Sequence, residues 1–292
     1  KLMKHLLIII SLLITSISWS KNIDYNDLVK RDGLYYEKFK EKPFSGRVNG
    51  IEQGKIRKGI KVGKWIGYHQ NGQLKYKKKF VKGKTVGENV TYFDTGQLKD
   101  NFFNNKEGKK EGEQVSYFSD GQLANKVTFK NGILVGEDIK YFENGDLKHK
   151  FFYNEEGKKE GEQLSYFADG NLEFKKFYNN GIEEGEHLTY ENFTVYDKKH
   201  YFLSLKINYK NGKEHGEWIR NYDVGKKWQK GNKKNGKLDG KWEIYHWDGY
   251  LARVERYKED IPVGEWYEYD RFGNLEQIEI YKNGKLIETI KH

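Results

Sequence analysis

YFDTGQLK at residues 92–99, YFSDGQLA at 117–124, YFENGDLK at 141–148 and YFADGNLE at 166–173 are four near-copies of one phrase. A residue needed for chemistry is needed once, whereas a residue that closes a structural unit is needed in every unit. The phrase therefore specifies architecture, and function is to be sought where the chain departs from it.

Each phrase follows a glycine, the residue a tight turn takes where φ must be positive. Taken as origins, these glycines are Gly63, Gly87, Gly112, Gly136, Gly161, Gly185, Gly216, Gly240 and Gly264. The steps are 24 or 25 residues, except for one of 31 between Gly185 and Gly216. Such regularity marks a repeat array. Five residues after the origin stands a tyrosine, from Tyr68 to Tyr269, broken only by Asn221. Three residues after it stand Ile66, Val90, Val115, Ile139, Leu164, Leu188, Ile219, Glu243 and Tyr267. Positions three and five share a face only in a strand, where side chains alternate with period two. An Asp-Gly, Asn-Gly or Thr-Gly turn follows, then a second strand beginning at Leu98, Leu123, Leu147, Leu172, Leu251 or Leu275. Each unit is thus a β-hairpin, and the KNG turns at 130–132, 210–212 and 282–284 lead into the next. The expected fold is all-β, an elongated antiparallel meander of tandem β-hairpins in an open single sheet.

The pattern of glycine, an aromatic or polar residue two places on, tyrosine three places later and then D/N-G-x-L resembles the bacterial variant of the MORN repeat over about residues 63–292. The segment DLVKRDGLYYEKFKEKPFSGRVNG, Asp27 to Gly50, resembles the opening of exported proteins of that family and reads as a cap that shields the first sheet edge. The resemblance implies a MORN-like interaction protein, and relatives of this kind are often labelled antitoxins.

The opening KLMKHLLIIISLLITSISWSKN sets Lys1 and Lys4 before an apolar run from Leu6 to Ile17 and small residues around Trp19. That is the order of a secretory signal, too short for a membrane span. Residues 1–20 are therefore expected to be removed and the protein exported to the periplasm, cell surface or medium. Residues 21–62 then form the cap and a degenerate repeat, 63–184 repeats one to five, 185–215 an irregular repeat with an insertion, and 216–292 repeats seven to nine. There is no cysteine, so stability rests on packing and strand pairing. The net charge of +10 is interspersed along the chain, which makes a solvated surface the expectation and nucleic acid an unlikely partner. One exception is KKWQKGNKKNGK, with Lys226, Lys227, Lys230, Lys233, Lys234 and Lys237 and no acid.

Two residues after the origin stands Trp65, Trp218, Trp242 or Trp266; units lacking it carry Phe93, Phe118, Phe142 or Phe167 six residues after the origin. One reading is volume compensation in a second packed layer. The other is an exposed aromatic strip for binding. Seven units follow the origin glycine with a glutamate, and so periodic an acid suits cross-strand pairing with lysine. The insertion ENFTVYDKKHYFLSLKINYKNG, Glu191 to Gly212, is expected to form a loop on the binding side. Beside it, the seventh unit has lost its Tyr and Leu columns. His5, His69, His149, His187, His200, His215, His246 and His292 show no H-E-x-x-H spacing, and no nucleophile elbow or phosphate-binding loop is present. The reading is a non-catalytic scaffold without a cofactor, binding an unidentified protein through Tyr196, His200, Tyr201, Trp228, Lys233 and Lys234. The alternatives are a surface for glycan or anionic lipid, or a toxin-neutralising protein.

Overall fold

The computed structural model describes residues 21–222 and 226–292, and the expected signal segment lies outside them. Apart from a single 3-10 turn at Tyr25–Asp27, every regular element among the described residues is a strand. Twenty-six strands belong to one open sheet, and Leu28–Arg31 with Leu34–Glu37 make a separate two-stranded ribbon. The chain divides into two compact units, one ending at Gly121 and the other beginning at Gln122.

In the first unit the strands Gly46–Asn49, Glu52–Arg57, Ile60–Tyr68 and Leu74–Val81 pair antiparallel in chain order. A short strand, Asn22–Asp24, lies parallel to Gly46–Asn49 and occupies its outer edge. Ile23, Phe44, Val48, Ile56, Trp65 and Tyr76 form a buried cluster here, with Tyr25, Leu28, Tyr35 and Phe80 packed around it. The Lys61 ammonium lies 3.9 Å from the Trp65 ring centroid and is ion-paired with Glu52, so even the cation entering this core is neutralised. In the second unit consecutive hairpins pair in the same way from Leu123–Lys130 to Lys285–Lys291.

Two turn types alternate. After the tyrosine column the chain makes a turn closed by a glycine at positive φ, as where His69 N–H donates to the Gln73 carbonyl and Gly72 N–H to the His69 carbonyl. Between hairpins most turns have two residues at positive φ, such as Asn131 at 51° and Gly132 at 85°, while those at 105–109 and 154–158 repeat the first type with Gly108 and Gly157. That is the type I′ geometry whose twist matches the strands, and Asn-Gly is the pair that tolerates it.

The origin glycines also have positive φ, because each opens a bulge. Lys55 pairs with Val62 and Gln53 with Ile66, so Gly63, Lys64 and Trp65 stand opposite Gly54 alone. The residue two places after the glycine turns into this gap, and it is the buried column of the fold. Trp65, Asn89, Gln114, Gln163, His187, Trp242 and Trp266 are all buried. What they share is an N–H donor. Trp242 and Trp266 donate to the carbonyls of Asn232 and Arg256, His187 contacts that of Phe177, and Gln114 and Gln163 donate to those of Phe103 and Phe152. In each of these five units the same carbonyl also accepts the backbone N–H of the residue before the origin glycine. The tryptophans are therefore no exposed strip, and the two-stranded ribbon packs through Leu28 and Tyr35 against the cluster that holds Trp65. They fill bulges within the sheet, as at Trp266, sandwiched between Tyr257 at 5.1 Å and Tyr281 at 4.4 Å.

Candidate functional site

The insertion after Tyr190 is not a loop. It lengthens a hairpin whose strands, Gly185–Val195 and Lys198–Lys210, run to 11 and 13 residues, against six and eight for Gly161–Tyr166 and Leu172–Asn179. The added residues alternate Phe193, Val195, Phe202 and polar side chains, and the seven-residue excess is absorbed as cross-strand pairs rather than slack chain. Glu191 pairs with Phe202, Asn192 with Tyr201, Phe193 with His200, Thr194 with Lys199 and Val195 with Lys198.

Neither neighbour follows the extension outward. The preceding strand meets this hairpin at Thr189 and Leu188, and the following strand, Lys213–Asn221, pairs with it from Leu205 inward. Among the described residues, 191–202 form strand pairs only with each other, so both edges of the extension offer unpaired backbone groups. Tyr196 and Asp197 form its tip at φ 45° and 61°, and Tyr196 is 96% exposed. His200 is exposed and stacks on Phe193 at 5.2 Å. Tyr201, on the opposite face, packs on Phe167 at 5.5 Å and buries an Oη that has no hydrogen-bond partner. Lys199 reaches Asp169 at 3.6 Å. The extension thus leans on the turn of the preceding repeat while its tip stays free.

The other three predicted residues lie on the strand Lys227–Lys234, separated from the long hairpin by Lys213–Asn221. Trp228 is half-buried, stacked on Tyr222 at 5.2 Å with the Arg220 guanidinium 4.5 Å from its ring centroid. Lys233 is ion-paired with Glu214, Lys234 lies 3.6 Å from Glu259, and Lys230 lies 3.7 Å from Glu217. The lysine run therefore loses much of its charge to acids on adjacent strands and turns. Burial and the nearby carboxylates of Glu183 and Glu214 push Tyr209 up to about 12, so it stays a neutral phenol at the base of the long hairpin. Sequence reasoning passed over Trp247, 71% exposed at a turn tip with the Lys226 ammonium 5.8 Å from its ring centroid. Its signal was its place in a turn, where other units carry small or polar residues.

Bulged hairpins, seven of the nine closed by a buried N–H donor two places after the origin glycine, with Asp138 and the half-buried Trp218 in the other two, define a tandem-hairpin repeat protein. The MORN repeat variant profile matches residues 61–82, 110–131, 159–180 and 262–283, each running from two residues before an origin glycine to the next type I′ turn, so these four repeats are MORN repeat variants. No curated protein matches the chain. Among solved structures, a TcdB2-TccC3-Cdc42 complex aligns at 13% identity and a TM-score of 0.18 over 76% of this chain and 14% of that one. A Photorhabdus luminescens Tc holotoxin pore aligns at 13% identity and 0.18, over 82% of this chain and 15% of that one. The chain thus spans about 15% of the length of the chains it aligns with, at a TM-score too low to bear on the fold.

Proposed function

We propose that this is an exported, non-catalytic interaction protein that binds a protein partner through the long hairpin. The observation that carries the reading is that, among the described residues, 191–202 form strand pairs only with each other, which presents free strand edges and an exposed Tyr196 at a defined point of an otherwise regular array. Exposed strand edges recognise extended peptides through main-chain hydrogen bonds, and exposed aromatic tips supply anchors. Export rests on the signal-like opening of the sequence. A partner recovered from cells producing the protein should bind wild type and lose about 10-fold or more in affinity to a Tyr196→Ala/His200→Ala variant, with the thermal unfolding midpoint unchanged. Unchanged affinity would overturn the assignment to this hairpin. Trp228→Ala, Lys233→Ala and Lys234→Ala form a second set; being paired or half-buried, they are expected to change affinity less.

A further inference from the structure

The first unit carries a surface that the rest of the array does not. Along the face bearing positions one, three and five, acids and donors meet throughout the later repeats. Glu137 pairs with Lys150 at 2.8 Å, Glu162 with Lys175 at 2.7 Å and Glu186 with Lys206 at 2.7 Å, while Glu217 lies 3.2 Å from Lys206 and 3.7 Å from Lys230. Glu88 accepts from Asn101. In the eighth repeat acid and base have exchanged places, with Lys241 donating to Glu243, and in the ninth the Tyr267 hydroxyl donates to Glu265. The first repeat breaks the rule. Lys64 stands where seven others have glutamate, without the compensating acid two places on that Lys241 has in Glu243, and the residue thirteen places on, Lys77, matches Lys150 and Lys175.

The result is a face of like charge. Arg47, Lys55, Arg57, Lys64, Lys75, Lys77 and Lys79 are all exposed, and strand alternation puts them on one side of the sheet. Arg47 stands directly across from Lys55 and Lys64 from Lys79, pairings of like charge that raise the energy of the face unless an anion lies over it. A cleft of about 620 Å³ opens here, lined by Arg47, Asn49, Gln53, Lys55, Arg57 and Lys64, with no carboxylate on its walls. The carboxylates on the flanking strands, Asp24 and Glu88, accept from Asn26 and Asn101.

We infer that this face binds a linear polysaccharide bearing phosphate or sulfate esters. Guanidinium groups fork onto oxyanions and ammonium groups add point charge, while the Asn49 and Gln53 amides are suited to sugar hydroxyls. Cations two residues apart along a strand repeat at roughly 6.7 Å, a row that matches a chain of regularly spaced esters. The side chains between them, Val62 and Ile66, are half-buried aliphatics. The ring that this face carries in the first repeat, Tyr68, is also half-buried, so the face lacks the fully exposed rings on which bases stack in single-stranded nucleic acid and the protruding apolar side chains that enter a bilayer.

The test measures binding of the full chain to dextran sulfate, neutral dextran of equal length, oligo(dT) and phosphatidylglycerol vesicles. Dextran sulfate should bind tightest, weaken by about 10-fold or more between 50 and 300 mM salt, and leave neutral dextran unbound. Lys64→Glu gives the first repeat the residue found in seven others, so it should fold normally and still cost about 10-fold; Lys77→Gln/Lys79→Gln is a second variant with the same expectation. Lys226→Gln/Lys234→Gln, an equal loss of charge elsewhere, should change affinity by less than about 2-fold. Tighter binding to oligo(dT) or vesicles than to dextran sulfate, or equal losses from both lysine pairs, would overturn the proposal. It stands apart from the long hairpin, whose variants should bind dextran sulfate like wild type.

Discussion

Residue by residue, the fold depends on the N–H donor that stands two positions after every origin glycine except Gly136, which has Asp138 there. Gln114 is 1% exposed; its Nε2 donates to the Phe103 and Glu111 carbonyls at 3.0 and 2.9 Å, and its Oε1 accepts from Phe103 N–H at 3.1 Å. Gln114→Leu keeps the bulk and strands these groups, so chemical denaturation should show a loss of about 1–3 kcal/mol. His187 makes the corresponding contact at 2.8 Å between Tyr178 and Tyr209, with Glu183 and Lys176 facing it. Burial holds the His187 imidazole below its ordinary value of 6.5, against the opposing pull of Glu183. The unfolded chain therefore binds the proton more readily than the folded one. Stability contributed here is complete above about pH 6.5 and falls as the pH drops below that value. His187→Gln, the residue used at Gln114 and Gln163, should flatten that part of the profile, read as the change in thermal unfolding midpoint between pH 7.5 and 5.

At the scale of the element, the hairpins were legible in the sequence because period-two alternation and Asn-Gly turns are local signals. The bulge was not. It joins residues eleven apart, as where Gly54 and Gly231 lie under Trp65 and Trp242; a Cβ on either glycine would come within 2.3 Å of the ring. Gly231→Ala should consequently destabilise by about 1–3 kcal/mol through overpacking, seen in urea unfolding. Reading Trp, Gln and His as volumes hid the property they share, a donor. The insertion was misread for a related reason: extra residues looked like a loop, but the alternation in 191–202 lets them pair. Its turn carries a cost, since Tyr196 and Asp197 both take positive φ. The double substitution Tyr196→Asn/Asp197→Gly supplies the pair that tolerates this geometry. It should slow amide exchange in the extension and leave the other hairpins unaffected.

For the whole molecule, charge shows what a linear reading leaves out. Lysines interspersed along LKYKKKFVKGK gave no sign of a patch, because alternation sorts them between two faces only once the strand is formed. The compact cluster KKWQKGNKKNGK, conspicuous in sequence, instead has Lys230, Lys233 and Lys234 set against Glu217, Glu214 and Glu259 from neighbouring strands and turns. The predicted site residues likewise fall into an exposed tip with Tyr196 and His200 and a paired strand with Lys233 and Lys234. Sequence spacing located the irregular repeat; pairing across strands decided which of its residues remain free. Repeat arrays draw stability from neighbour contacts, so shortening the extension to the length of its siblings should leave the rest folded.

That shortened chain provides the most direct test. Cross-linking in the producing cells, followed by mass spectrometry that maps linked positions, should find one stoichiometric protein joined to residues 191–202 in wild type and absent when the extension is removed. A partner linked elsewhere and retained by the shortened chain would contradict the account.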